Sequence, residues 1–165
     1  MRQFFLLIFL LVYFCQGFGQ DKNSFAIRQL NFSQFEPYLH KQNDTLYLIN
    51  FWASWCIPCR KELPAIEKIN KKYKENKVKV LLVSLDFPRQ LQTQLIPFVQ
   101  ANHLKSEIVL LNEPDPNKWI DKVDPKWEGS IPFSLIYGLG FRESYEHPFE
   151  FDELDSIINS KIKAP

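Results

Sequence analysis

Between Thr45 and Tyr73 the chain reads TLYLINFWASWCIPCRKELPAIEKINKKY, and no other stretch constrains the fold as tightly. Thr45 to Ala53 is apolar and aromatic, with no clean alternation, and it is bounded upstream by the turn-forming NDT. That is the pattern of a strand buried on both faces. Beyond it, Leu63, Ile66, Ile69 and Tyr73 recur at near-helical spacing among lysines and glutamates, which predicts an amphipathic helix. Cys56 and Cys59 lie at the junction. A strand that runs directly into a helix places Cys56 at the helix N-terminus.

The rest of the chain repeats this alternation. Val78 to Asp86 (VKVLLVSLD) is a second buried strand, and FAIRQLNF and EIVLL are shorter ones. SQFEPYLHKQ is weakly helical, with Pro37 near its start. Leu91, Leu95, Phe98 and Val99 form an i, i+4, i+7, i+8 face, so a helix is expected over 90–102. A proline-punctuated stretch holds a short helix around Asn117 to Val123. PFSLIY and FRESYEH, joined at GLG, read as a hairpin. A last helix starts near Asp152 as N-cap and buries Leu154, Ile157, Ile158 and Ile162. Strands alternating with helices, then a hairpin and a terminal helix, give an α/β fold: a mixed central sheet flanked by helices in a single domain, residues 20–165.

The first 19 residues have a different composition. Arg2 precedes an unbroken apolar run from Phe4 to Phe14, and Gly17 and Gly19 follow it. A charged start, an apolar stretch and small residues at −3 and −1 make residues 1–19 a secretory signal peptide, with export to the periplasm. The run is short of the ~20 residues that span a bilayer. An uncleaved anchor and lipidation of Cys15 are the alternatives; Phe14 stands where a lipoprotein signal places a small residue. Without residues 1–19 the chain keeps two cysteines, and 19 basic residues balance 19 acidic ones. A formally neutral chain carries no electrostatic footprint for nucleic acid. Two cysteines make no stapling framework, so both thiols are free for chemistry.

Three readings of the pair compete. At a helix N-terminus, unpaired N–H groups and the dipole favour a thiolate, so the Cys56 thiol should lie below the ~8.5 of a free thiol and act as nucleophile. Cys59, one turn on, faces inward and closes a disulfide with Cys56. Pro58 needs no N–H in the first turn and stiffens the loop. A structural metal site requires two more ligands, but there is no second CxxC and His40, His103 and His147 are scattered. The third reading is two inert buried thiols; the intervening Pro58 and the flanking Trp55 at a strand-to-helix junction argue against it. Redox chemistry is the favoured reading.

The segment NFWASWCIPCRKELP, Asn50 to Pro64, resembles the active-site segment of thioredoxin-like proteins, and more narrowly that of exported thiol–disulfide oxidoreductases of the TlpA/ResA type. Phe51, Trp52, Ala53, Trp55, Cys56, Pro58 and Cys59 match the general pattern; Asn50, Ser54, Glu62 and Pro64 match the exported subgroup. In GSIPFSLIYGLG, Ile131-Pro132 resembles the cis-proline loop that faces the CxxC. The resemblance implies a thioredoxin fold, catalytic Cys56 and Cys59, and a substrate-binding rim of Trp55, Ile131 and Pro132. It implies no organic cofactor and no metal. It also implies reduction of exported protein disulfides, apocytochrome c among them, as in cytochrome c maturation, by a monomer recharged from a membrane electron donor. Asn50 departs from thioredoxin, which carries a buried aspartate there. Relatives place a glutamate after the strand that follows the CxxC helix; Asp86 stands in that region and is read as a strand-end turn residue. Glu62 is read as a solvated first-turn acid, and Trp127 as a loop anchor. The rivals are a redox-inactive binding module or metallochaperone on the same fold, and a thiol peroxidase. Copper chaperones of this fold space their cysteines one residue wider, and the peroxidatic Pro/Thr context is absent here.

Protein recovered from its native host should begin at Gln20 by intact-mass analysis. A lipid-modified Cys15 at the N-terminus contradicts cleavage after Gly19.

Overall fold

The computed structural model describes residues 26–163, so the leader and Cys15 lie outside the described residues. Six strands form one sheet: β1 (Arg28–Leu30), β2 (Leu46–Trp52), β3 (Val78–Ser84), β4 (Glu107–Leu111), β5 (Phe133–Gly138) and β6 (Phe141–Tyr145), in the order β1-β4-β3-β2-β5-β6. β1, β4, β3 and β2 run parallel, and β5 and β6 join antiparallel. The helices are α1 (Phe32–Phe35), α2 (Ile57–Lys72), α3 (Ile96–Ala101), α4 (Ile120–Val123) and α5 (Phe151–Lys163). The expected mixed sheet with flanking helices is what the chain forms. No helix among the described residues is long and apolar enough to cross a membrane.

β2 is paired on both edges, with β3 and β5, which accounts for its continuous apolar run. Its alternate residues feed two cores. Leu48 and Trp52 meet Leu63, Ile66 and Ile69 of α2 and Leu154 and Ile158 of α5. Ile49 and Phe51 meet Phe35, Leu39, Trp119, Trp127 and Phe133 on the other face. Asn50 therefore lies on the α2 side, fully buried. Phe51 is the centre of an aromatic cluster, with ring centroids 4.9 Å from Trp127, 5.7 Å from Phe35 and 5.9 Å from Phe133.

Three expectations change. The helix expected over 90–102 is a composite: a 3-10 turn at Pro88–Gln90, a π segment at Leu91–Leu95, then α3. Pro97 falls in the first turn of α3, so the residue without an N–H stands where the π segment hands over to the α-helix. The Ile96 N–H reaches back to Leu91 O. Pro37 lies in a 3-10 turn, Glu36–Leu39, after α1 has ended; Asn31 caps α1 in a capping box with Gln34. α5 begins at Phe151, so Asp152 is a first-turn acid rather than the cap, and Ile162 is exposed.

Phe51→Ala should destabilise the fold by about 3–5 kcal/mol in urea denaturation, because the surrounding rings cannot collapse into the cavity. A loss below about 1 kcal/mol contradicts the central place given to this ring.

Candidate functional site

β2 ends at Trp52 and α2 begins at Ile57, so the connecting turn is only four residues long. It is closed by the Cys56 N–H donating to Ala53 O at 3.1 Å. Asp86, at the end of β3, holds it from the side. One carboxylate oxygen accepts from the Ser54 N–H (3.0 Å) and the Ser84 hydroxyl (2.8 Å), and the other from the Ser54 hydroxyl (2.5 Å). Asp86 is thus the strand-end turn residue expected, and it buttresses the loop.

Cys56 is the N-cap of α2, and its Sγ accepts the Cys59 N–H at 3.3 Å. An N-cap acceptor is the place where a sulfur anion gains from orphan N–H groups and the helix dipole. Pro58 sits in the first turn, where no N–H is required. The two cysteines form a disulfide, with Cα atoms 5.3 Å apart. Cys56 retains 6% exposure and Cys59 none. The Ile131–Pro132 peptide is cis, and Ile131 O lies 3.8 Å from Cys56 Sγ. Trp127, buried, donates its indole N–H to Ser130 O at 2.7 Å, which makes it the anchor of that loop.

Glu62 corrects the sequence reading. It is not solvated but 1% exposed. One oxygen accepts from Asn50 Nδ2 at 2.8 Å, the other from the Phe149 N–H at 2.9 Å. Burial pushes its carboxyl up to about 7, against the opposing pull of these two hydrogen bonds and the nearby His147. It stands one turn after Cys59, in the stripe that continues through Leu63 and Ile66, so the helical period already placed it inward. Asn50 also donates to Ser134 Oγ at 3.0 Å, while its Oδ1 has no partner among the described residues. A turned amide offers that oxygen to a protonated Glu62, so Asn50 serves either protonation state.

Trp55 is 52% exposed beside the cysteine pair. Ile57 and Phe87, at 65% and 53%, are two further exposed apolar side chains. Ile57 lies between the cysteines, and Phe87 follows the loop-clamping Asp86. Adjacency to the CxxC is the sequence signal for Ile57; Phe87 carries none.

Residues 19–122 match the AhpC/TSA family. The chain belongs to the AhpC/TSA family. It is 33% identical to the thioredoxin-like protein YneN of Bacillus subtilis over 92 residues, 56% of this chain and 52% of that protein. It is 38% identical over 63 residues to sporulation thiol-disulfide oxidoreductase A of the same organism, covering 38% of each. The matches thus span about half the length of these relatives or less. The crystal structure of StoA from Bacillus subtilis superposes with a TM-score of 0.53 at 25% identity, covering 70% of this chain and 83% of that one. The fold is thioredoxin-like.

A buried carboxyl raised from 4.5 to about 7 has a definite stability signature. Between those values the unfolded chain has lost the proton and the folded chain still holds it, so stability falls as pH rises through the window. The penalty, complete above pH 7, is about 3 kcal/mol at ~1.4 kcal/mol per pKa unit. In urea titrations of the oxidised protein, Glu62→Gln should remove this decline. Parallel wild-type and variant profiles contradict the assignment.

Proposed function

We propose that the protein is an exported thiol–disulfide oxidoreductase that reduces disulfides in protein substrates. The observation that carries this reading is the Cys56–Cys59 disulfide capping α2, with Ile131 O 3.8 Å from Cys56 Sγ. The names of the relatives, thioredoxin-like protein and thiol-disulfide oxidoreductase, support it. The leader pattern of residues 1–19 supports export.

In the reduced protein the Cys56 thiolate, stabilised at the helix N-terminus, attacks one sulfur of the substrate disulfide. The substrate S–S bond breaks, its second sulfur leaves as a thiolate, and a mixed disulfide joins Cys56 to the substrate. Cys59 then loses its proton and attacks Cys56 Sγ, expelling the second substrate thiolate. The substrate has gained two electrons, and the Cys56–Cys59 bond is the oxidised product. We infer that Glu62, buried one turn after Cys59 in α2 and with its carboxyl raised to about 7, takes the Cys59 proton. The exposed Trp55 and Ile57 that flank Cys56 suit a substrate that presents an extended apolar segment. Its backbone pairs at Ile131, beside Pro132. A membrane electron donor returns Cys56 and Cys59 to the dithiol form. Exported apoproteins whose cysteine pair is oxidised to a disulfide, apocytochrome c among them, are the substrate class the resemblance favours.

Cys59→Ser, expressed in the native host, should accumulate slower-migrating adducts on non-reducing gels that collapse with reductant. Cys56→Ser should give none and should lose insulin reduction. Adducts on Cys56→Ser reverse the roles of the two thiols. Wild-type insulin reduction by both variants removes the redox reading in favour of a binding module.

A further inference from the structure

The C-terminal half of α2 and the first residues of β1, β3 and β4 enclose a groove of ≈ 870 Å³. Val80 and Ile108, both buried, give it an apolar floor. Lys68 and Lys71 of α2 and Lys74 just beyond it line one side, and Arg28 of β1, Lys79 of β3 and Lys105, two residues before β4, line it from the sheet. Only two carboxylates share that lining, Glu67 and Glu107. Both are engaged. Glu107 accepts from Arg28 at 2.7 Å and Lys79 at 2.8 Å, and Glu67 accepts the N–H groups of Lys105 and Ser106 at 3.0 Å each. Lys68 lies over the Phe151 ring. Lys71, Lys74 and Lys105 have no acidic partner among the described residues. The whole chain carries a formal charge of only +1, so cationic charge is concentrated here. Ser106, 2% exposed, lines the same groove, and its hydroxyl has no hydrogen-bond partner among the described residues. Buried hydroxyls without a protein partner are uncommon and are met by water or by a bound group.

We propose that this groove docks an acidic peptide segment of a partner protein, one that carries carboxylates next to apolar side chains. Charge complementarity selects the carboxylates. The cations stand on both walls, so a chain lying between them is contacted from two sides. The recessed apolar floor accepts the side chains between the carboxylates. A planar lipid surface touches the rims and leaves the floor empty. Ser106, rotated toward the groove, supplies a hydroxyl to a peptide carbonyl or carboxylate. Lys68 and Lys71 stand 12 and 15 residues along the chain from Cys56. At ~1.5 Å per residue that is about 18 Å and about 22 Å down the helix. A partner held there leaves the cysteine pair open. The proposal is independent of the redox reading.

The test uses the full chain and fluorescence anisotropy with a labelled decapeptide alternating glutamate with leucine and valine. A twin peptide with lysine for glutamate and vesicles rich in anionic lipid are run in parallel. The acidic peptide should bind and the lysine twin should not. Raising salt from about 50 mM to about 500 mM should weaken binding about tenfold or more. The double variant Lys71→Glu, Lys105→Glu should weaken it about tenfold or more, with insulin reduction unchanged. If that variant melts early, Lys71→Gln with Lys105→Gln should show a smaller loss at wild-type stability. Equal binding of both peptides, no binding of the acidic one, an affinity unchanged in the variants, or binding to vesicles alone overturns the proposal.

Discussion

The site depends on the way β2 is satisfied. Its backbone pairs with β3 on one edge and β5 on the other, and its side chains are buried on both faces. Such a strand has no freedom of register, because a one-residue slip exchanges Leu48, Asn50 and Trp52 with Ile49 and Phe51. The four-residue turn after Trp52 then has little freedom of direction. Asp86 removes what is left by binding both the backbone and the side chain of Ser54. Cys56 is therefore held at the end of the most constrained element of the molecule. β5, the neighbour on the other edge, begins just after Pro132, so the same pairing brings the Ile131 carbonyl to the sulfur. The two halves of the site are adjacent because β2 and β5 are.

One consequence of this register is the buried polar group beneath the helix. Asn50 falls on the α2 face, opposite Ser134, and Glu62 descends on it from the helix. A carboxyl in that place is expensive to ionise. Its two hydrogen bonds reduce the cost without abolishing it, which leaves the group near neutrality. An aspartate at position 50 would set two carboxyls against each other; an asparagine can donate to one carboxylate or accept from its protonated form. The departure from thioredoxin at position 50 and the inward glutamate at position 62 thus make sense together.

Much of this was legible in the sequence because the signals were local. The apolar run of β2, the CxxC at its end and the period of α2 each specify one element. GLG between two strands is a hairpin signal, and the turn is Leu139–Gly140, with Gly140 at positive φ. What was misread depended on context. Residue type points Glu62 to solvent, but its spacing from Cys59 and Leu63 puts it inside, and the period is the better guide. The apolar face over 90–102 is regular, and side-chain periodicity does not register the change from π to α winding ahead of Pro97. Phe87 carries no periodic signal, and only the fold shows that the loop bearing it is tied to Ser54.

The lysines of α2 have a structural explanation that extends only part of the way. Cations in the last turn stabilise a helix against its own dipole, and Lys71 and Lys72 stand there. Lys72 also pairs with Asp155 of α5, so its place is set by helix packing. Arg28 and Lys79 are accounted for by Glu107, but neither the dipole nor an ion pair among the described residues accounts for Lys105, which lines the same groove as Lys68, Lys71 and Lys74. Like charges facing each other cost free energy unless an anion lies between them, and the groove's own two carboxylates are already held by Arg28, Lys79 and two backbone N–H groups. The same helix therefore presents an N-terminus suited to a sulfur anion and a C-terminal half suited to carboxylates. Both preferences follow from the direction in which β2 feeds the chain into it.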